Sequence, residues 1–237
     1  MTNDFLTQYA MYVNYTKTQI VNIETTFRCP LKCPFCYRQE NNKEIKNKIK
    51  NSKDIPVEDL KKLIVFFDSL SFCGQISDPI AHPNFIKLLE VCQSFKEKPV
   101  YINTTGTRKS EQWWKTAFNV SNDNTIWVFG LDGTDQETAN IYRVNTRFDE
   151  VMRAMKMGVA LGKKIQWNFI IFKHNEHQIE LAKQIAAETG IELRLVKSGR
   201  WEQEQIDKHQ IYPPSDKWRT KNKVTKIIML KEVTYDS

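Results

Sequence analysis

The sequence predicts an α/β fold, a partial (βα)6 barrel on a parallel sheet, and three observations carry that expectation. Six β-rich apolar runs alternate with amphipathic ones, as in repeated βα units. Six units are too few to close an eight-stranded barrel. A chain of 237 residues, 41% of them hydrophobic, can bury one sizeable core, and neither repeats nor a second domain stand out.

The first strand is expected at Gln19 to Thr25, and the polar, lysine-rich stretch from Gln39 to Asp54 reads as a surface loop near the mouth of a site. A helix follows from Pro56 to Leu70, with Pro56 at its first position and Glu58 and Asp59 in its first turn. Strands at Ser71 to Ile76, Pro99 to Asn103, Thr125 to Leu131, Lys164 to Phe172 and Glu192 to Lys197 then interleave with helices. Those helices are Asn84 to Phe95, Ser110 to Phe118, Phe148 to Leu161, and Glu176 to Thr189, the last stopped by Gly190. After Gly199 the periodicity fades, and Pro213 and Pro214 mark an irregular tail with a short apolar stretch, Lys226 to Val233, as a candidate final strand. The expected division is a barrel domain over residues 1–200 and an irregular C-terminal tail over 201–237 packing on it.

No apolar run approaches a membrane span, and the N-terminus lacks the basic-then-apolar order of a signal peptide, so the chain reads as soluble and cytoplasmic. The formal charge of +7 sits largely in NNKEIKNKIKNSK and KWRTKNKVTK. A solvated lysine-rich surface accounts for it, and a nucleic-acid partner is possible but not favoured.

Of the five cysteines, Cys29, Cys33 and Cys36 crowd together as C-x-x-x-C-x-x-C, while Cys73 and Cys92 stand alone in apolar segments. That distribution suits metal binding and not a disulfide framework. Three thiolates can ligate three irons of a 4Fe-4S cluster and leave the fourth open, and an open coordination position separates catalytic from structural sites. The alternative is a noncatalytic zinc- or nucleic-acid-binding module, with Cys73 or a histidine as fourth zinc ligand; zinc sites usually add a second close pair of ligands, and this chain has none.

With Phe35 before its third cysteine, the segment resembles the signature of the radical S-adenosylmethionine (SAM) superfamily. The resemblance implies that Cys29, Cys33 and Cys36 are the metal ligands and catalytic centre, with a 4Fe-4S cluster and SAM as cofactors. In that family an electron from the cluster cleaves SAM, and the 5'-deoxyadenosyl radical abstracts a hydrogen from substrate. Ile76-Ser77-Asp78-Pro79, followed by His82-Pro83-Asn84-Phe85, is similar to the family's G-G-E-P strand end, which receives the SAM amino group. Asp78 takes the carboxylate role, and Ile76 and Ser77 replace the glycines. Asn103-Thr104-Thr105-Gly106 resembles the family's S-T-N-G, whose side chains reach SAM. Gly130-Leu131-Asp132-Gly133 resembles the S-[IL]-D-G of the molybdenum-cofactor and peptide-modifying subfamily, with Gly130 in place of a serine. Arg143 matches an arginine that pairs with the SAM carboxylate. The implied SAM contacts are therefore Phe35, Ser77, Asp78, Asn103, Thr105 and Arg143.

No cysteine follows Cys92, so one cluster and no auxiliary one is expected, reduced by an external one-electron donor of flavodoxin or ferredoxin type. The substrate is unidentified, a peptide or protein on one reading and a nucleotide on the other. His82, His174 and His177 lack zinc-ligand company and read as structural or solvated. Trp113, Trp114 and Trp127 are expected in or against the core, and Trp167 and Trp201 are candidates to border the site.

Overall fold

The computed structural model describes residues 10–15, 19–40, 42–95, 97–219 and 226–229. One sheet runs in sequence order through β1 (Ala10–Tyr15), β2 (Gln19–Ile23), β3 (Ser69–Phe72), β4 (Val100–Thr104), β5 (Thr125–Gly130), β6 (Lys164–Ile170), β7 (Glu192–Lys197) and β8 (Lys226–Met229). Neighbours from β2 to β7 pair parallel, which gives the six-stranded parallel centre of an open partial barrel. The short strands β1 and β8 pair antiparallel on its two sides.

The helices are α1 (Lys43–Asn51), α2 (Val57–Ile64), α3 (Phe85–Cys92), α4 (Glu111–Val120), α5 (Gln136–Tyr142), α6 (Phe148–Ala160), α7 (Ile179–Thr189) and α8 (Gln203–His209). Strand alternation sends one parity of side chains toward the helices. In β5 these are Trp127 and Phe129, both wholly buried, whose rings lie 5.6 and 5.3 Å from that of Trp114 on α4. Trp167 joins the same core, and its indole N–H donates to the carbonyl of Leu131 at 2.6 Å; it does not border the site. The other parity carries Val128, Gly130, Gln166, Asn168 and Arg194 on the opposite sheet face, where polar side chains gather.

Several elements differ from the sequence reading. The expected loop over residues 39–54 contains α1, because Asn42 caps it by accepting from the N–H groups of Glu44 and Ile45, and because Ile45 and Ile49 share one face a turn apart. The helix expected to reach Leu70 ends at Ile64, with Pro56 as its cap, and β3 begins at Ser69 instead of Ser71. Helix α5 lay outside the expectation and starts where Asp135 accepts from the N–H of Thr138 at 2.8 Å. The stretch after residue 200, read as irregular, contains α8. Of the candidate strand Lys226 to Val233, Lys226–Met229 is β8 and the rest lies outside the described residues. Among the described residues no helix is long and apolar enough to cross a membrane.

Candidate active site

Beyond β2 the chain leaves the sheet at its C-terminal end, where ligands gather in parallel βα folds. All three motif cysteines are free and half-buried there. The loop is fixed by backbone hydrogen bonds: Cys36 N–H donates to Cys33 O at 3.1 Å, and Lys32 N–H to Val144 O at 3.0 Å. The guanidinium of Arg38 ties it to the next strand, donating to the carbonyls of Phe27 (2.7 Å) and Ile76 (3.1 Å). Phe35 is buried, its ring edge-on to Tyr142, Trp201 and His209 at 6.0 to 6.2 Å. Trp201 thus stands beside the loop, as expected of a site-bordering residue.

Two carboxylates brace the neighbouring strand ends. Glu24, which the sequence reading passed over, accepts from the N–H groups of Gln75 (3.0 Å) and Ile76 (3.2 Å), from the thiol of Cys73 (3.7 Å) and from the hydroxyl of Ser77. The Ser77 hydroxyl is therefore turned to Glu24. Gly74 lets this turn close, since a Cβ there would stand 2.8 Å from the carbonyl oxygen of Ser77. Asp78 is fully buried and joins two of the resemblance motifs. Its Oδ1 accepts from Thr104 Oγ1 (2.8 Å) and Ile80 N–H (3.3 Å), and its Oδ2 from the N–H (3.3 Å) and hydroxyl of Thr105. Those donors fill the roughly four acceptor sites of a carboxylate. Asn103 donates from Nδ2 to Ser71 Oγ at 3.3 Å. Burial raises the pKa of both carboxyls, against the pull of their hydrogen bonds.

Arg143 follows α5 and reaches back to the end of β5. Its Nε donates to buried Asp132 at 2.6 Å, and its positive charge pulls the Cys33 thiol pKa down against the larger effect of burial. A Cβ at residue 130 would stand 2.7 Å from Arg143 Nη2, so the arginine occupies the room that a serine side chain there would need. Asp132 also accepts from Ile170 N–H at 2.7 Å, making it the pivot between β5 and β6.

The donor set fits an iron-sulfur cluster. Three soft thiols share one loop, whereas Cys73 is bonded to Glu24 and Cys92 is buried in α3. Burial pushes the Cys29 thiol up to about 12, with the nearby Asp78 charge adding to it, and the Cys33 thiol to about 11. Bound iron reverses that preference by stabilising thiolate. Among the described residues no group of three or more His, Cys, Asp and Glu side chains is gathered to hold one metal ion. His82 is satisfied between the carbonyl of Ile55 and the N–H of Asn84, both at 3.0 Å.

Residues 23–185 match the family model described as the radical SAM superfamily. The chain belongs to the radical SAM superfamily. It is accordingly an enzyme, and the cofactors of its family are a 4Fe-4S cluster and SAM. Its fold is shared with other radical SAM enzymes. Streptococcus suis SuiB bound to SAM is 19% identical with a TM-score of 0.60, over 73% of this chain and 38% of SuiB. The enzyme anSMEcpe with bound AdoMet is 17% identical with a TM-score of 0.54, over 74% of this chain and 49% of that one. Methylornithine synthase (PylB) is 15% identical with a TM-score of 0.53, over 74% and 52%. The radical SAM chain described here thus spans about a third to a half of these relatives. No curated protein sequence matches it.

Proposed function

We propose that Cys29, Cys33 and Cys36 hold the 4Fe-4S cluster, that the surrounding strand ends bind SAM, and that the enzyme abstracts hydrogen from a polar substrate. The observation that carries this reading is the convergence of the thiol loop, the Asp78 network and the Arg143 guanidinium at one end of the parallel sheet. When bound, the cluster supplies the electron that cleaves SAM reductively to a 5'-deoxyadenosyl radical.

The roles of this chain's residues follow from their geometry. Asp132 fixes Arg143 through Nε, which leaves the two Nη groups, beside Gly130 at the end of β5, to clasp the SAM carboxylate in a fork. Asp78, with its acceptor sites engaged, serves the SAM ammonium by holding the Ser77 and Thr105 segments in register; a direct contact requires one of its hydrogen bonds to be exchanged. Asn103 and Thr105 line the same strand end. Phe35 anchors the loop through the aromatic group that also seats Trp201 and Ile211, so the described segment 201–219 acts as a C-terminal piece packed on the barrel.

A polar substrate is favoured by the sheet face below this rim. There Asn168 Oδ1, Glu192 Oε1 and Arg194 Nε are buried with no hydrogen-bond partner among the described residues, and Gln166 bridges Glu192 (3.1 Å) to Arg194 (2.8 Å). Unmade hydrogen bonds of this kind cost about 1–3 kcal/mol each, so the face is suited to a ligand that offers both donors and acceptors. A peptide or protein is the leading substrate, because SuiB is known bound to its precursor peptide SuiA and anSMEcpe bound to a peptide; a nucleotide is the second reading. The electron comes from an external donor of flavodoxin or ferredoxin type. Five free thiols suit a reducing compartment, and the cytoplasm is the proposed location.

Anaerobic reconstitution tests this reading. Iron and sulfide should each approach about four per chain, and dithionite should drive release of 5'-deoxyadenosine and methionine from SAM. Replacing any one of Cys29, Cys33 or Cys36 by Ala should abolish both. Asp78→Ala should keep the iron and weaken SAM binding about tenfold or more, because the Thr104 hydroxyl and the N–H groups of Ile80 and Thr105 lose their shared acceptor and the segments it holds in register come free. Normal clusters and SAM cleavage in all three cysteine variants would overturn the assignment.

A further inference from the structure

Two rows of side chains cross the sheet on the face away from the helices. One row runs through Asn103, Val128, Gln166 and Glu192; the next, a step nearer the thiol loop, runs through Gly130, Asn168 and Arg194. Neighbours in a row stand one strand apart, so Arg194 lies about 10 Å from Gly130, against which the Arg143 guanidinium packs. The polar face is thus beside the proposed SAM carboxylate fork.

Glu192 and Arg194 are opposite charges two residues apart in β7 and share this face, yet among the described residues they make no ion pair with each other. Gln166 stands between them: its Nε2 donates to Glu192 Oε2 at 3.1 Å, and its Oε1 accepts from Arg194 Nη1 at 2.8 Å. Glu192 Oε1, Arg194 Nε and Asn168 Oδ1 are left without a partner among the described residues. Packing gives no account of this arrangement. Leu193 and Leu195, of the other parity, supply the share of the core that β7 contributes, and apolar residues in place of the two charges would spare the cost of their unmade bonds.

We propose that this face binds the substrate through an ammonium and a carboxylate; the proposal rests on the reading of these strand ends as the SAM site. The ammonium donates to Glu192 Oε1 and Asn168 Oδ1, the carboxylate accepts from Arg194 Nε, and Gln166 sets the spacing between them. The three residues with unmade bonds are half-buried, so small rotations turn those atoms toward a ligand. One acid and one base leave the face neutral, which suits a dipolar ligand. A nucleotide phosphate would satisfy Arg194 and be repelled by Glu192. Two sources carry the dipolar chemistry: a free α-amino acid, or an extended peptide with a basic and an acidic side chain two residues apart, which is the spacing of Glu192 and Arg194 themselves.

The test is calorimetric titration of the chain, both apo and reconstituted with SAM. The probes are each free proteinogenic L-amino acid, end-capped pentapeptides with lysine and glutamate two residues apart in either order, and GMP. At least one dipolar probe should bind; a free amino acid or a peptide doing so supports the proposal and names the source. Neutralising either charge of that probe should weaken it about tenfold or more. Glu192→Gln should weaken the intact probe by a similar factor and the probe lacking its ammonium far less, a difference that a merely structural role would not produce. The exchanged pair Glu192→Arg, Arg194→Glu keeps the face neutral and should bind more tightly than Glu192→Gln or Arg194→Gln, so that poor folding of a single variant leaves another to decide. No binding of any dipolar probe, equal binding of the neutralised forms, or tighter binding of GMP overturns the proposal. Failure of dithionite to cleave SAM in the wild type would instead sink the reading of the site, since binding to the apo chain is measured without the cluster.

Discussion

Gly130 and Arg143 divide one volume between them, and the family's serine cannot be restored at residue 130 without moving the guanidinium. Gly130→Ser is therefore expected to destabilise the protein by about 1–3 kcal/mol in urea unfolding, the range for overpacking a close site, and to weaken SAM binding through displaced Arg143. His174 offers a second residue-scale measurement. Its ring stacks on Phe172 at 5.1 Å, its Nε2 is buried without a partner among the described residues, and burial, with His177 nearby, lowers its pKa to about 4. The neutral form is the one the fold accepts. Stability should be fully present above about 6.5, the unfolded value, and fall on acidification toward about 4, by an order of 2–3 kcal/mol. His174→Leu should remove that slope from denaturation curves taken across the pH range. At this scale the cysteines, Asp78 and Arg143 were legible because motif spacing is local. Glu24 and Gly74 were not singled out, and Asp132 was read only within its motif: Glu24 braces the N–H groups of Gln75 and Ile76, and Asp132 that of Ile170, all far along the chain. A lone carboxylate ending an apolar strand was the available signal for Glu24.

At the scale of elements, the six parallel strands were legible from apolar runs bounded by turn residues, and α3, α4, α6 and α7 from their long amphipathic faces. What escaped was short or poorly periodic. Helix α5 has seven residues, too few for a period of 3.6 to repeat twice. Helix α1 hides its two isoleucines among lysines, and its strongest signal is Asn42, a capping residue. Removing that cap, Asn42→Ala, should cost about 1 kcal/mol, read as faster amide hydrogen exchange across residues 43–51 with little change elsewhere. The end of α2 was misjudged because the apolar residues after Ile64 continue straight into β3, and a run of apolar residues alone does not distinguish a helix from a buried strand.

At the scale of the whole molecule, the formal charge of +7 is spread over a lysine-rich surface that includes the rim of the site. Little or no specific binding to duplex DNA is expected at physiological salt, and a tight, sequence-dependent complex in a salt titration would contradict that view. The carboxylates of Glu24 and Asp78 have a different consequence. They lace the ends of β2, β3 and β4 together through hydrogen bonds from protein donors. A zinc finger must await its metal in order to fold. In this chain the strand ends are tied by carboxylates, so limited proteolysis before iron loading is expected to leave the barrel intact.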